Sequence, residues 1–412
     1  MEKEKVIKLI MGNEYYGVED LRYNLKKGIL LSKDEFNDLL IAKDGLIDEK
    51  NEYITRLPLK TFNSKYCFYV NGGYLLSVLK DYYRVIISDF EINKSFIFER
   101  NYEDIVISRL FSEVEGSLAI ENIPTTHKKI AEIHKNENVT DKNDLVIKNM
   151  LKAVHFIIKE RPEFNKENLF KLYTILSKDS LPEESRLREG EYYRHDKVFV
   201  GGYEGAPYHA IGEYMDSLFE FAGDEDNVKR YSYLFPFICH YYVLYVHPYF
   251  DYNGRTARMV SFWLNYIHNI KGAPYFMSEA INECKGDYYR ALVNTRETRN
   301  DLTYFLGYIL ETSVRFSLVY KNLEVIKEKL LKSGDSLSSA ELVYVKKIII
   351  HSPEDYFNYK MFLKYINGEM TRQGALKILN NLTDYEVLLK SKNKKGGIIY
   401  KLNPEFLTYK YN

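Results

Sequence analysis

Three cysteines, Cys67, Cys239 and Cys284, are too few, too widely spaced and odd in number for a disulfide framework or a thiolate metal site. They read as buried thiols. The sequence also lacks net charge. Its 58 basic and 58 acidic side chains cancel over 412 residues, so no global field draws the chain to nucleic acid or to a membrane. A membrane-length apolar run is missing too. The most apolar window, 233–246, contains Pro236 and His240 and stops short of the roughly 18–20 residues a span needs. Met1-Glu2-Lys3-Glu4-Lys5 leads into no apolar signal core. Eight histidines (His127, His134, His155, His195, His209, His240, His268 and His351) form no ligand cluster. These absences predict a cytoplasmic protein with no membrane partner, divided into two or three domains. Tyrosine is abundant, at 38 residues, but carries no mechanism by itself.

Short apolar runs at 66–70 and 85–87, with the turn Asn71-Gly72-Gly73, mark residues 1–105 as a small α-rich domain with a few strands. Helical periodicity dominates from about 106 to 315, in segments 145–160, 168–178, 208–221, 228–246, 254–267 and 287–320. One stretch interrupts it. Val198-Phe199-Val200-Gly201-Gly202-Tyr203-Glu204-Gly205 is β-type and closed by glycines, the pattern of a hairpin. Residues 327–337, charged and containing Ser333-Gly334-Asp335-Ser336, read as a linker. Beyond it, Ser338 and Glu341 form an N-capping pair for a helix over 338–350. Further helices fit 356–366 and 371–382, and strands fit 387–390 and 398–402 around Lys392-Asn393-Lys394-Lys395-Gly396-Gly397. Three helices and a basic two-stranded ribbon predict a winged helix-turn-helix over 338–412. With Arg372 and Lys377 on its third helix, this domain could bind DNA. Winged helices also bind proteins, and the overall neutrality favours that alternative.

The most informative segment is His247-Pro248-Tyr249-Phe250-Asp251-Tyr252-Asn253-Gly254-Arg255-Thr256-Ala257-Arg258. The helix ending near Val246 delivers His247 to a loop, and the next helix starts near Gly254. The first amides of a helix lack partners and its dipole favours negative charge, so this junction suits phosphate. Asn253 and Gly254 permit the positive φ angles that let consecutive amides converge on a phosphate. Arg255 and Arg258 share one face of the first turn and can each grip phosphate oxygens in bidentate fashion. Cations are disfavoured at a helix N-terminus, and a bound polyphosphate removes that conflict. Asp251 can hold Mg²⁺ with phosphate oxygens and water completing the shell. His247 titrates near neutrality and can take a proton from an attacking hydroxyl.

The segment resembles the signature of Fic-domain proteins, His-x-Phe-x-Asp/Glu-Gly-Asn-Gly-Arg-x-x-Arg. His247, Asp251, Asn253, Gly254, Arg255 and Arg258 match, whereas Tyr249 replaces the Phe and Tyr252 the first glycine. The resemblance extends over about 106–315, within a catalytic domain expected over 106–326, and implies a mainly α, helical Fic-type core with a β-hairpin flap. Gly190-Glu191-Tyr192-Tyr193-Arg194 and the stretch from Val198, Phe199, Val200 and Gly201 look like that flap, where a target segment docks by strand addition. Tyr288-Tyr289-Arg290-Ala291-Leu292 looks like the adenine-side helix, with Tyr289 and Leu292 lining the base pocket and Arg296 where such proteins often have Asn. The implied activity is transfer of AMP from ATP to a Tyr, Ser or Thr hydroxyl of a protein. His247 is then the base, and Tyr252, Asn253, Gly254, Arg255 and Arg258 bind nucleotide. Asp251 holds Mg²⁺.

Ser117-Leu118-Ala119-Ile120-Glu121-Asn122 resembles the inhibitory motif of the Fic class in which the inhibitory helix precedes the core. Ser117 and Glu121 share one helix face. The resemblance implies that Glu121 pairs with Arg258 and denies it to the γ-phosphate, with Ser117 and Asn122 completing the motif. It also implies the reverse reaction, removal of AMP, when Glu121 positions a water. Expected partners are a hydroxyl-bearing protein target, the chain itself by auto-modification, and a second copy as a homodimer, with DNA or protein at the winged helix. Other donors, such as UTP, GTP or a choline-bearing diphosphate, stand beside ATP because Tyr252 and Arg296 reshape the pocket. A regulator that senses nucleotide and binds DNA is the alternative function.

Overall fold

Asp141, Asn165, Asp224, Ser338, Asn358 and Thr371 each place a side-chain oxygen on a backbone N–H two or three residues further on, and a helix begins at the next residue. Ser338 and Glu341 complete the reciprocal box expected of them. The computed structural model describes residues 8–9, 11–23, 30–48, 52–87, 102–136, 139–268, 277–352, 355–366, 368 and 370–407. It is mainly helical and divides into two compact units, residues 1–312 and 313–412.

The first unit opens with α1 (Val18–Arg22), α2 (Lys33–Asp48) and an antiparallel pair, β1 (Ile54–Lys60) and β2 (Tyr66–Val70), followed by α3 (Gly73–Tyr82). Then come α4 (Tyr102–Ile120), α5 (His127–Asn136), α6 (Lys142–His155) and α7 (Lys166–Ser177). A two-residue-strand hairpin, β3 (Phe199–Val200) and β4 (Tyr203–Glu204), precedes α8 (Ile211–Gly223) and α9 (Glu225–Tyr231). Gly201 and Gly202 turn it with φ of 54° and 81°, a conformation that suits the twist of paired strands and needs glycine. The core is built around α10 (Phe235–Val246) and α11 (Asn253–Ile267), which pack on each other. Apart from Leu244, every residue of α10 is buried, as its apolar character on all sides requires. On α11, Trp263 is fully buried and donates to the Pro162 carbonyl at 2.9 Å. Next are α12 (Met277–Glu283) and α13 (Lys285–Glu297).

The edge expected at residue 105 does not separate the compact units. Phe68 on β2 exchanges backbone bonds with Asn300 and Leu302 (3.3 and 2.7 Å), and Lys43 on α2 is buried against Asp301 at 2.6 Å. The expected continuous helix over 287–320 breaks because Arg299 and Asn300 both take φ of 63°. The 228–246 helix breaks at Ser232, φ 44°. The linker expected at 327–337 is helical through Ser333: α14 (Thr303–Ser333) contains the 312/313 boundary, buries Ile326 and Leu330, and stops at Gly334, φ 83°. The second unit continues with α15 (Ser339–His351), α16 (Tyr359–Tyr365) and α17 (Arg372–Asp384), then the antiparallel ribbon β5 (Leu388–Lys392) and β6 (Ile398–Leu402). Phe357 adds a short third rung, exchanging backbone bonds of 2.9 and 2.8 Å with Tyr400. Among the described residues no helix is long and apolar enough to cross a membrane.

Candidate active site

Helix α10 ends because His247 leaves the helical region, at φ 55° and ψ 63°. A left-handed conformation is unfavourable for a residue with a Cβ, so its surroundings must hold it. Arg194 does this. Its Nε donates to the His247 carbonyl at 2.8 Å and its Nη2 to the Ala206 carbonyl, while its backbone N–H meets Pro248 O at 2.9 Å. Arg194 is 2% exposed, and the same guanidinium ties the β4 end of the hairpin to the loop. Gly205 allows that approach, since a Cβ there would lie 2.8 Å from Arg194 Nη2 and 3.1 Å from His247 Cβ. Burial lowers the His247 pKa to about 4, with the charges of Arg194 and Arg296 acting in the same direction and Asp251 against them. The imidazole is therefore neutral near pH 7.

Asn253 closes the loop with its side chain, accepting from Tyr249 N at 3.0 Å and donating to Tyr249 O at 2.8 Å. Tyr249 is fully buried and stacks on Tyr173 with centroids 3.7 Å apart, which explains why an aromatic residue is needed there. Asn253 and Gly254 permit a positive φ, but the residue that takes one is Tyr252, φ 67°. Residue 253 already begins α11, whose geometry forbids it. Tyr252 tolerates the strain because its side chain is used: its hydroxyl bonds Ser180 Oγ, and the Arg255 guanidinium carbon lies 3.3 Å over its ring. Arg255 Nε is buried without a hydrogen-bond partner, and its Nη2 stands 3.6 Å from Asp251, whose side chain is half exposed.

Gly254 is demanded by space. A Cβ there would sit 2.8 Å from Glu121 Oε1 and 3.2 Å from Arg258 Nη1. Glu121 belongs to the turn ending α4, and the Arg258 Nη2 bonds its carboxylate at 2.6 Å. Arg258 also donates to Ser117 Oγ at 2.9 Å and Ser117 O at 3.1 Å. Burial opposes the charged Glu121 carboxyl, but Arg258, and secondarily Arg255 and Lys285, bring its pKa below the usual value. A carboxylate thus lies bonded to Arg258 at the start of α11, near enough to Arg255 to feel its charge. Asn122 has another place: at φ 59° it stops α4, and its side chain accepts from Lys285 at 3.1 Å.

On α13, Leu292 is buried while Tyr289 is 45% exposed; Tyr289 still lies near enough to Glu121 and Arg258 to feel both charges. Phe199 and Val200 project from the hairpin, 64% and 43% exposed. Four residues that hold the site were not anticipated in these roles. Arg194 holds the His247 carbonyl and Ser180 the Tyr252 hydroxyl. Tyr288 is buried beside Arg258 and bonded to His240 at 2.9 Å. Glu113 on α4 accepts from Ser278 N at 2.9 Å and from Ser278 Oγ, and burial pushes its pKa up to about 7. Glu113, Ser117 and Glu121 recur every four residues, the one signal that could have tied them to a single face.

A neutral histidine, a half-exposed carboxylate, two arginines and a helix N-terminus gather at one loop, a set chemically able to accept a proton and to bind phosphate. Residues 163–264 match the Fic/DOC family. It is 26% identical over 190 residues to protein adenylyltransferase fic-1 of Caenorhabditis elegans, covering 44% of this chain. The match spans 34% of that protein's length. Among solved structures, a Fic family protein from Desulfovibrio desulfuricans G20 aligns with TM-score 0.48 and 15% identity, over 82% of this chain and 97% of that one. Residues 134–508 of C. elegans Fic-1 align with TM-score 0.45 and 19% identity, over 60% and 70%.

Proposed function

We propose that this protein is an autoinhibited protein adenylyltransferase, moving AMP from ATP to a hydroxyl side chain of a protein, itself included. One observation carries the reading: the Glu121 carboxylate sits on Arg258 beside Gly254, where a triphosphate would otherwise place an anion. The residues fit the donor. Arg255 keeps a buried, unpartnered Nε, and the opening amides of α11 face the same place. Neutral His247 takes the proton of the target hydroxyl, and that oxygen attacks the α-phosphorus. The bond from the α-phosphorus to the bridging oxygen breaks and pyrophosphate leaves. Arg255, Arg258 and the loop amides hold the phosphates in line, so catalysis is chiefly positioning and electrostatics. Among the described residues no group of three His, Cys, Asp or Glu could hold a cation unaided. Asp251 would supply the one protein ligand to Mg²⁺, with phosphate oxygens and water as the others. When bound, that ion would supply positive charge to offset that of the pyrophosphate leaving group.

Glu121→Gly, incubated with α-labelled ATP and Mg²⁺, should label its own chain at least ~10-fold faster than the parent, because removing the carboxylate frees a buried arginine. Glu121→Gly/His247→Ala should not label. Equal, silent Glu121→Gly and parent proteins would overturn the reading. A second reading, a regulator binding duplex DNA through residues 338–412 while the Fic domain senses nucleotide, draws on the exposed lysines of the β5–β6 ribbon. We extend the expected winged helix-turn-helix to that unit on its element order and on the Phe357–Tyr400 rung.

A further inference from the structure

Arg296 lies on α13, two turns beyond Tyr289, and its guanidinium reaches the hairpin: its carbon stands 4.3 Å over the Tyr203 ring. Among the described residues no carboxylate or carbonyl bonds that guanidinium. Tyr203 is the β4 residue paired with Val200, and its hydroxyl donates to Tyr245 O at 2.6 Å, two residues before His247. The ring is thus held between Arg296 and the last turn of α10. Arg194 independently pins the hairpin's base through Ala206 and His247. The Arg296–Tyr203 stack fixes the other part, where Phe199 and Val200 are exposed.

We propose that Arg296 is a positioning residue: through its stack on Tyr203 it locks the hairpin over His247, so that a docked target strand is held in register with the imidazole. The inference rests on the reading of His247 as base and of the hairpin as the docking strand. Chemistry selects a cation here for two reasons. A guanidinium over a partly buried ring face adds attraction that a neutral amide would not. Its charge also helps keep the neighbouring imidazole unprotonated, in concert with Arg194 and against Asp251.

The test uses the full chain and begins with readouts that need no turnover. Amide hydrogen exchange of residues 198–206 should quicken about 5–10-fold in Arg296→Gln and equally in Tyr203→Leu, with no further gain in the double variant. Arg296→Lys should restore the parental rate. In NMR titrations the His247 pKa should rise above about 4 in Arg296→Gln but stay in Tyr203→Leu and Arg296→Lys. Unchanged exchange in Arg296→Gln, or a lysine variant that fails to rescue, overturns the proposal. Labelling by α-labelled ATP in the Glu121→Gly background separates the two readings. If Glu121→Gly does not label at all, the adenylyltransferase reading fails and the exchange data still decide Arg296. If Glu121→Gly labels and adding Arg296→Gln leaves the rate unchanged, Arg296 plays no positioning part.

Discussion

His247 and Tyr252 both hold left-handed backbone, at φ 55° and 67°, within six residues. Non-glycine residues keep such angles only where surrounding bonds over-determine them. Arg194 supplies those bonds at one end of the loop, and the Ser180 and Arg255 contacts supply them at the other. The strain fixes the imidazole in a buried place with two arginines near it, and burial is what removes its proton. The expected consequence is an acid limb in the kcat/KM profile of Glu121→Gly near pH 4, not near the ordinary 6.5, with a flat rate from pH 8 to about 5. Stability should run the same way. The unfolded chain binds the His247 proton below about 6.5 and the folded chain only below about 4, so stability falls as pH drops through that window. His240, lowered by burial to about 3, adds to the slope. A pH–rate inflection near 6.5 would mean the imidazole is solvated and the loop geometry wrong. The sequence revealed which residues share this loop, because motif spacing is local. It did not reveal that Tyr252 rather than Asn253 or Gly254 turns the chain, since backbone strain at one residue depends on side chains such as Ser180, 72 positions away.

At the scale of elements, the decisive contact is α4 on α12. Gly116 brings the two backbones together: a Cβ there would lie 2.4 Å from Glu279 N and 2.5 Å from Ser278 C. Glu113, about one turn earlier, caps the start of α12 through Ser278, and Glu121, five residues later, reaches Arg258. The Glu121 carboxylate is therefore presented by a helix anchored twice. Gly116→Val would force the backbones apart, at a cost of about 1–3 kcal/mol for overpacking. It should lower the melting temperature by several degrees and raise auto-labelling up to ~10-fold without touching the nucleotide loop. Combined with Glu121→Gly it should add nothing to the rate, because the carboxylate is already gone. A lower melting temperature with labelling still silent would show that α4 docking and Arg258 release are not coupled. Periodicity identified most helices of the core, yet a glycine inside α4 carries no such signal. Its meaning appears only when the partner backbone, more than 160 residues away, is brought against it.

Across the whole molecule, charge is not evenly spread. Residues 313–412 hold 17 Lys and Arg against 10 Asp and Glu, a formal +7, while residues 1–312 hold 41 against 48, a formal −7. The neutrality that favoured a protein-interaction role for the C-terminal part is a cancellation between two units, visible only once the boundary is placed at 312/313. Within the second unit the positive charge lies where a duplex could meet it. Lys390, Lys392, Lys394 and Lys395 are exposed on and beside the β5–β6 ribbon, and Arg372, Gln373, Lys377 and Asn380 are exposed on α17, with Lys390 bonded to Asn380 at 2.9 Å. Basic ribbon and polar helix face are together suited to phosphate contact and groove contact. The full chain should bind duplex DNA in fluorescence anisotropy, with affinity falling on the order of 10²-fold between 50 and 200 mM salt if about four phosphates are engaged. Changing the four ribbon lysines to alanine should flatten that salt dependence and weaken binding to all sequences alike, whereas His247→Ala should leave both unchanged. No detectable binding at 50 mM salt, or an affinity indifferent to salt, would assign the ribbon to a protein surface instead, because phosphate contact cannot occur without releasing counterions.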